Sequence, residues 1–173
     1  GYGLLAKAVE ETGKKPFFDL VQMHIAEPLS MEDTVGRPRK DQLERMAVGY
    51  DPDGKVAPPF DQGALAGAGS MYSTLNDLLI YLKAHMGITN GELQDAMKMT
   101  HNVRGKNGLA ALAWRRTEGY EDRSQYGTAN GYRAFVGFLA DGSKGVVVLS
   151  NTKEGTVELG ERLLLGPDAV KLH

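Results

Sequence analysis

Apolar residues change their period once along this chain. Toward the N-terminus they recur at helical spacing, and after residue 107 they alternate as strands do. Leu4, Leu5, Ala8 and Val9 form one helical set, with Gly13 as its C-terminal stop. A second helix is predicted from Pro16, a residue tolerated in a first turn. Its Phe17, Leu20, Val21, His24 and Ile25 share one face, and Pro28 ends it. Residues 31–69 carry turn signals, "DPDG" at 51–54 and "APPF" at 57–60. They read as a long irregular stretch broken by one ordered segment around "LERMAVGY", and such stretches in compact domains are often functional.

The clearest helix lies in "GAGSMYSTLNDLLIYLKAHMG". Leu75, Leu78, Leu79 and Leu82 supply its apolar face, and Gly87 closes it. Thr74 followed three positions on by Asp77 reads as a capping box, with Ser73 the alternative cap. A further helix is predicted at 91–100. Three segments then read as strands: "LAALAWRR", "SQYGTANGYRAFVGFLA" and "KGVVVLSN". Ala140-Asp141-Gly142-Ser143 forms a tight turn between the last two. "TVELGERLLLG" closes the chain as a helix packed on the sheet. The order is helices, an antiparallel three-stranded meander, then one helix, which is an α+β arrangement.

Composition narrows the function classes. A chain of 173 residues with 42% hydrophobic and 24% charged residues is enough for one globular domain with a sizeable core. The formal net charge of -2 argues against nucleic acid as a partner. "RPRK" at 37–40 is the one candidate basic patch, and a solvated loop is the preferred reading of it. There is no cysteine, so a disulfide scaffold and a Cys-ligated metal site are both excluded. No apolar run approaches the roughly 18–20 residues of a membrane span. No signal-peptide pattern is read either, and the chain opens inside an amphipathic pattern, which predicts a piece of a longer domain.

The candidate chemistry is sparse. His24 is expected to be packed on its helix face, and His85 to lie near a helix end, where a cation suits the dipole. His101 is expected to be solvated, and His173 is terminal. Their spacing does not suggest a metal site, and no cofactor is implied. Ser150 and Lys153 formally match S-x-x-K. That motif needs the first turns of a helix to set Lys below the hydroxyl, and here it ends an apolar strand. Gly127 and Gly131 bracket a segment whose backbone could lie against a ligand, and Thr128 could present its N–H to a developing oxyanion. A bulged strand bending over a helix accounts for the same glycines.

"GTANGYRAFVGF" with "GVVVLSN", preceded by "GAGSMYSTLNDLLIYLKAHMG", resembles the serine β-lactamase and D-alanyl-D-alanine peptidase superfamily. The branch it resembles is the class C β-lactamase-like one, which also holds esterases and D-aminopeptidases. "EPLSMEDT" at 27–34 is similar to the "PLGM-x-x-T" stretch of that branch. "GYGLLAKAVEETG" is similar to the helix after its Y-S-N motif. The resemblance implies a β-lactamase/transpeptidase-like fold. On it, residues 1 to about 106 are mostly the helical region, and 107–173 are sheet strands and the closing helix.

The resemblance also implies a site. The family uses Ser and Lys of S-x-x-K, Tyr of Y-x-N, and a strand motif, K-T-G or H-x-G, that gives one oxyanion N–H. The first two elements would precede Gly1, so no catalytic residue is assigned here and the chain alone is expected to be inactive. The third aligns with Gln125-Tyr126-Gly127, and Asn130-Gly131-Tyr132 continues the match. Gln125 stands where the family has Lys or His; being neutral, it cannot hold a substrate carboxylate by charge. Thr128 and Asn130 complete this substrate or oxyanion wall. Asn151 aligns with a residue near the substrate carboxylate, although a strand-end Asn also makes local turn bonds.

The expectation is therefore the C-terminal portion of a bacterial serine hydrolase that opens an amide or ester, such as a β-lactam or D-amino-acid peptide, through an acyl-enzyme. The alternative is a non-catalytic binding module that keeps the fold, or an unrelated α+β structural domain. A small-molecule or peptide substrate is the partner if the missing elements are supplied. The strand at 144–150, guarded only by Lys144, is expected to pair with a second copy or an N-terminal fragment. The family implies a periplasmic or secreted location.

Overall fold

In the computed structural model, residues 1–58, 63–152 and 154–169 are described. Helix α1 spans Tyr2–Gly13 and ends on Lys14 in the left-handed region. It buries Gly3 and Ala6, not the apolar set read from its spacing. Leu4 is 75% exposed, and Leu5 and Val9 are exposed too. Small residues decide this. Ala6 packs against Gly67 of a 3₁₀ turn, Gly63–Ala68, at a distance that leaves no room for a side chain on Gly67.

Helix α2, Phe17–Val21, starts one residue after the expected Pro16, which caps it. It passes into a π turn at Gln22–Ala26, where the Glu27 N–H reaches back five residues to the Gln22 carbonyl at 2.9 Å. His24 is exposed rather than packed, because that widened turn carries it beside a shallow groove with Val9 and Leu20. The irregular stretch that follows has more order than the sequence suggested. Helix α3, Lys40–Glu44, begins earlier than "LERMAVGY". The "RPRK" run is solvated, with Arg39 paired to Asp41 and Lys40 to Glu44.

Helix α4, Leu75–His85, carries the cap expected of it: Thr74 Oγ1 accepts the Asp77 N–H at 3.2 Å. The capping box is one-sided. The Asp77 carboxylate instead accepts the Asp33 N–H at 2.9 Å and the Thr34 hydroxyl at 2.8 Å, and so ties residues 33–34 to the helix start. Helix α5 covers Gln94–Thr100.

The sheet contains strands β1, Asp122–Ala129, β2, Tyr132–Leu139, and β3, Gly145–Ser150, in the antiparallel order β1-β2-β3. Two strand expectations are corrected. Residues 109–116 form no strand. They fold on themselves through an Ala110–Arg115 bridge, and the turn buries Trp114, whose indole N–H reaches Thr100 Oγ1 at 3.2 Å. Burying the chain's one Trp with its N–H satisfied outweighs extending a ladder. The expected long strand through 124–140 is a hairpin instead. Ala129 pairs with Tyr132, so Asn130-Gly131 is a two-residue turn with Gly131 at φ 69°.

Layers follow from the two faces of β2. Phe135 and Gly137 face helix α6, Thr156–Leu165; a side chain on Gly137 would lie 2.8 Å from Leu164 Cδ2, and Gly160 packs on the Phe135 ring. On the other face Phe138 packs with Leu82 of α4 and Trp114, and Val136 and Val147 border that cluster. The sheet thus lies between α6 and α4. Large-to-small changes at Phe135 or Phe138 would cost about 3–5 kcal/mol. Among the described residues, no helix is long and apolar enough to cross a membrane.

Candidate active-site wall

The outer edge of β1 gathers the residues read from the sequence. Ser124 exchanges both backbone bonds with Arg115, at 3.0 and 2.8 Å. Backbone groups alternate sides along a strand. Tyr126 and Thr128 therefore turn their N–H and C=O to the same outer side as Ser124, while Gln125, Gly127 and Ala129 bond to β2. Among the described residues, no strand continues the ladder past the Arg115 bridge. The Tyr126 N–H is taken by Gln125 Oε1 at 3.1 Å. Among the described residues, no acceptor is bonded to the Thr128 N–H on this edge, and Thr128 is exposed. A Cβ on Gly127 would find no atom within 4 Å, so a ligand could approach the backbone there closely.

Side chains divide between the two faces. Gln125 pairs with Val136 and lies on the α4 face, where its Nε2 donates to the Ala113 carbonyl at 2.8 Å. Ala113 itself sits at φ 61°, an uncommon conformation for a residue with a Cβ. Tyr126 pairs with Phe135 and lies on the α6 face. The Arg115 guanidinium stands over its ring, 4.5 Å from the centroid. Ser124 and Arg115 share that face as bridge partners, so Arg115 and Tyr126 are diagonal neighbours.

Asn130 and Asn151 lie at one end of the sheet, where β2 begins and β3 ends, since Arg133 pairs with Ser150. A loop from far back in the chain clasps this end. The Tyr132 hydroxyl donates to the Ala47 carbonyl at 2.6 Å, and Asn151 Nδ2 donates to the Val48 carbonyl at 2.9 Å. A side chain on Gly131 would lie 2.7 Å from the Tyr50 nitrogen, so glycine serves close approach to protein here, besides its positive φ. Ser150 Oγ lies 3.1 Å from Thr152 Oγ1 at the strand end. Lys153 lies outside the described residues.

Two histidines bear on the sequence reading without joining this wall. His85 does end α4, as expected, but is 6% exposed rather than a cation offered to the dipole, and His101 is half-buried rather than solvated. His85 Nδ1 and His101 Nε2 are 2.8 Å apart, inside a box closed by Tyr81, Trp114 and Phe138. Burial first, and the neighbouring His101 second, push the His85 pKa down to about 3. Burial and Arg123 lower that of His101. Both rings are neutral at pH 7. Among the described residues, no three His, Asp or Glu side chains gather as metal ligands do.

Sequence reasoning missed Arg115 and the 47–50 clasp. Both are cross-chain neighbours, and neither leaves a local pattern to read.

Comparison with known proteins places this arrangement. A family model, Beta-lactamase, matches residues 1–170. The D-alanyl-D-alanine-carboxypeptidase/endopeptidase AmpH of Escherichia coli (strain K12) is 31% identical over 85 residues, 49% of this chain and 21% of that protein. The beta-lactamase/D-alanine carboxypeptidase from Pseudomonas syringae superposes with a TM-score of 0.83 at 22% identity, over 94% of this chain and 56% of that one. The D-alanine carboxypeptidase AmpC from Burkholderia cenocepacia gives 0.81 at 20%, covering 93% and 56%. The chain spans about half the length of these solved structures, and its match spans about a fifth of the curated relative.

Proposed function

This chain belongs to the beta-lactamase family, and from that premise we propose that it forms the strand wall of a serine hydrolase that cleaves an amide or ester through an acyl-enzyme. β-Lactams and D-amino-acid peptides are the substrate types that fit the named relatives. The observation that carries the reading is the Thr128 N–H on the open edge of β1, beside the empty space at Gly127.

The chemistry asks for such a donor. A serine oxygen attacks the carbonyl carbon, the π pair moves onto the carbonyl oxygen, and the new oxyanion needs fixed N–H groups. Thr128 supplies one without reorganising, because its strand is held by β2 on the other side. The tetrahedral centre then collapses, the leaving amine or alkoxide takes a proton, and water later releases the acyl group. The serine, its lysine and the proton-transferring tyrosine come, in this proposal, from residues outside these 173.

One substitution tests the wall. Proline at an edge position whose N–H faces outward is tolerated by a strand. In the protein that joins these residues to a catalytic serine, Thr128→Pro should lower kcat by about 10²–10³ with a smaller change in KM. An unchanged kcat would remove Thr128 from the site.

A second reading has one observation in its favour. Gln125 is neutral, and both ends of its amide are engaged, with Ala113 and with Tyr126. A binding module that keeps the fold without the chemistry would tolerate that. Covalent labelling by a fluorophosphonate or a reporter β-lactam separates the two. Labelling of the complete protein supports the hydrolase. Labelling of a serine within these 173 residues alone would overturn the placing of the nucleophile elsewhere.

A further inference from the structure

We propose that Asn90 is a site of spontaneous covalent modification, where the side-chain amide is lost to give isoaspartate or aspartate, while the fold protects the other Asn-Gly pairs of the chain. The sequence holds three such pairs, at 90–91, 107–108 and 130–131. In each, the residue whose nitrogen attacks has no Cβ to hinder it, so the sequence ranks them level. The structure separates them. Asn90 and Gly91 are both exposed, in the connection between α4 and α5. A Cβ on Gly91 would find no atom within 4 Å. The connection is braced on either side of their shared peptide. Gln94 Nε2 donates to the Thr89 carbonyl at 2.7 Å, and the Gln94 backbone N–H donates to the Gly91 carbonyl at 3.1 Å. Among the described residues, nothing is hydrogen-bonded to the Asn90 side-chain amide or to the Gly91 N–H.

The reaction needs that freedom. Solvent hydroxide takes the Gly91 N–H proton, and the nitrogen pair attacks Asn90 Cγ. The Cγ–Nδ2 bond then breaks, and ammonia leaves with a proton taken from water. A five-membered succinimide remains. Water adds to one of its two carbonyls and breaks that carbon's bond to the Gly91 nitrogen. Opening at the backbone carbonyl gives isoaspartate, and opening at Cγ gives aspartate. Each of the other pairs lacks a requirement. The Gly108 N–H is held by the Gly105 carbonyl at 2.9 Å, and Asn107 Oδ1 accepts the Leu109 N–H at 3.1 Å. Gly131 is buried, and a Cβ there would lie 2.7 Å from both the Gly49 carbonyl carbon and the Tyr50 nitrogen. The ring cannot close at Asn130 unless the hairpin end leaves the 47–50 clasp. At Asn90 the product is a new carboxylate and, as isoaspartate, a longer backbone between α4 and α5.

The test incubates the folded chain at mildly alkaline pH and maps its peptides by mass spectrometry, with isoaspartate separated from aspartate by chromatography. The Asn90 peptide should convert about two- to tenfold faster than the Asn107 and Asn130 peptides, the factor that one retained amide hydrogen bond gives. The same chain in urea loses the fold, and the three rates should draw together there. A folded rate at Asn107 or Asn130 equal to or above that at Asn90 overturns the proposal, and so does a ranking that urea leaves unchanged. Gly91→Ala, which the open space around Gly91 accommodates, should slow conversion at Asn90 severalfold and leave Asn107 as it was. An unaltered Asn90 rate in that variant would overturn the attack by the Gly91 nitrogen.

Discussion

Acid should unfold this protein through His85 and His101. The two rings share one hydrogen bond, Nδ1 to Nε2 at 2.8 Å, which needs one N–H and one lone pair. His85 Nε2 is buried and has no partner. A proton added to His85 therefore either sets two N–H groups head to head at Nδ1 or puts a cationic N–H on the buried, partnerless Nε2. The Arg123 guanidinium, bound to the His101 carbonyl, also opposes a cation on His101. The sign follows. The folded pKa of His85, about 3, lies below the unfolded value near 6.5, so the unfolded chain binds the proton first. Stability is complete above about pH 6.5 and is lost as pH falls toward 3. At pH 5 the unfolded chain has gained about one and a half pH units of protonation free energy, or about 2 kcal/mol. His101, shifted in the same direction, adds to this. The assay is urea denaturation from pH 7.5 to 5, followed by far-UV circular dichroism and by Trp114 fluorescence. His85→Phe keeps a ring in the box and removes the titration. Its stability should fall less steeply with acid than the parent's, by about 1.4 kcal/mol per pH unit below pH 6. Parallel slopes for the two proteins would refute the reasoning.

Asp77 and the β3 edge give two more expectations. Asp77→Ala strands the Asp33 N–H, leaves the Thr34 hydroxyl only its contact with Ser73 Oγ at 2.7 Å, and removes bonds to a buried carboxylate, so it should cost about 2 kcal/mol in the same urea assay; a loss below about 0.5 kcal/mol would show that the 33–34 segment is held by other contacts. On β3, the backbone groups of Val147 and Leu149 face away from β2, and Leu149 is 42% exposed. The 173-residue chain should therefore self-associate with rising concentration in light scattering, and Leu149→Lys should suppress it. A monodisperse monomer at every concentration tested would contradict this.

Local patterns were legible where local chemistry fixes the structure. Thr74 caps α4 as its spacing implied, and the α+β order of helices, meander and closing helix is the observed one. What failed was decided by partners distant in sequence. Asp77 looked like half of a capping box, but its carboxylate serves residues 44 and 43 positions away. Residues 109–116 alternated like a strand, yet Trp114 needed the pocket made by His85 and Phe138. Asn130-Gly131 is a strong hairpin signal, and the strand predicted over 124–140 breaks there into β1 and β2. The edge residues of the wall were readable from the motif. The partner of Gln125 was not, since it depends on Ala113 turning back at a positive φ.

The clasp on the hairpin end has a consequence for the order of assembly. Residues 129 and 132 meet across a two-residue turn, whereas Tyr132 meets Ala47 across 85 positions and Asn151 meets Val48 across 103. Closing a loop that long costs about 3 kcal/mol more chain entropy than closing a few residues. The ribbon of β1 and β2 can thus form early and by itself, while the 47–50 clasp waits for the intervening helices to bring its ends together. The wall acquires its edge before it acquires its frame. A substitution that weakens the clasp would slow the last step of maturation and leave the hairpin itself intact.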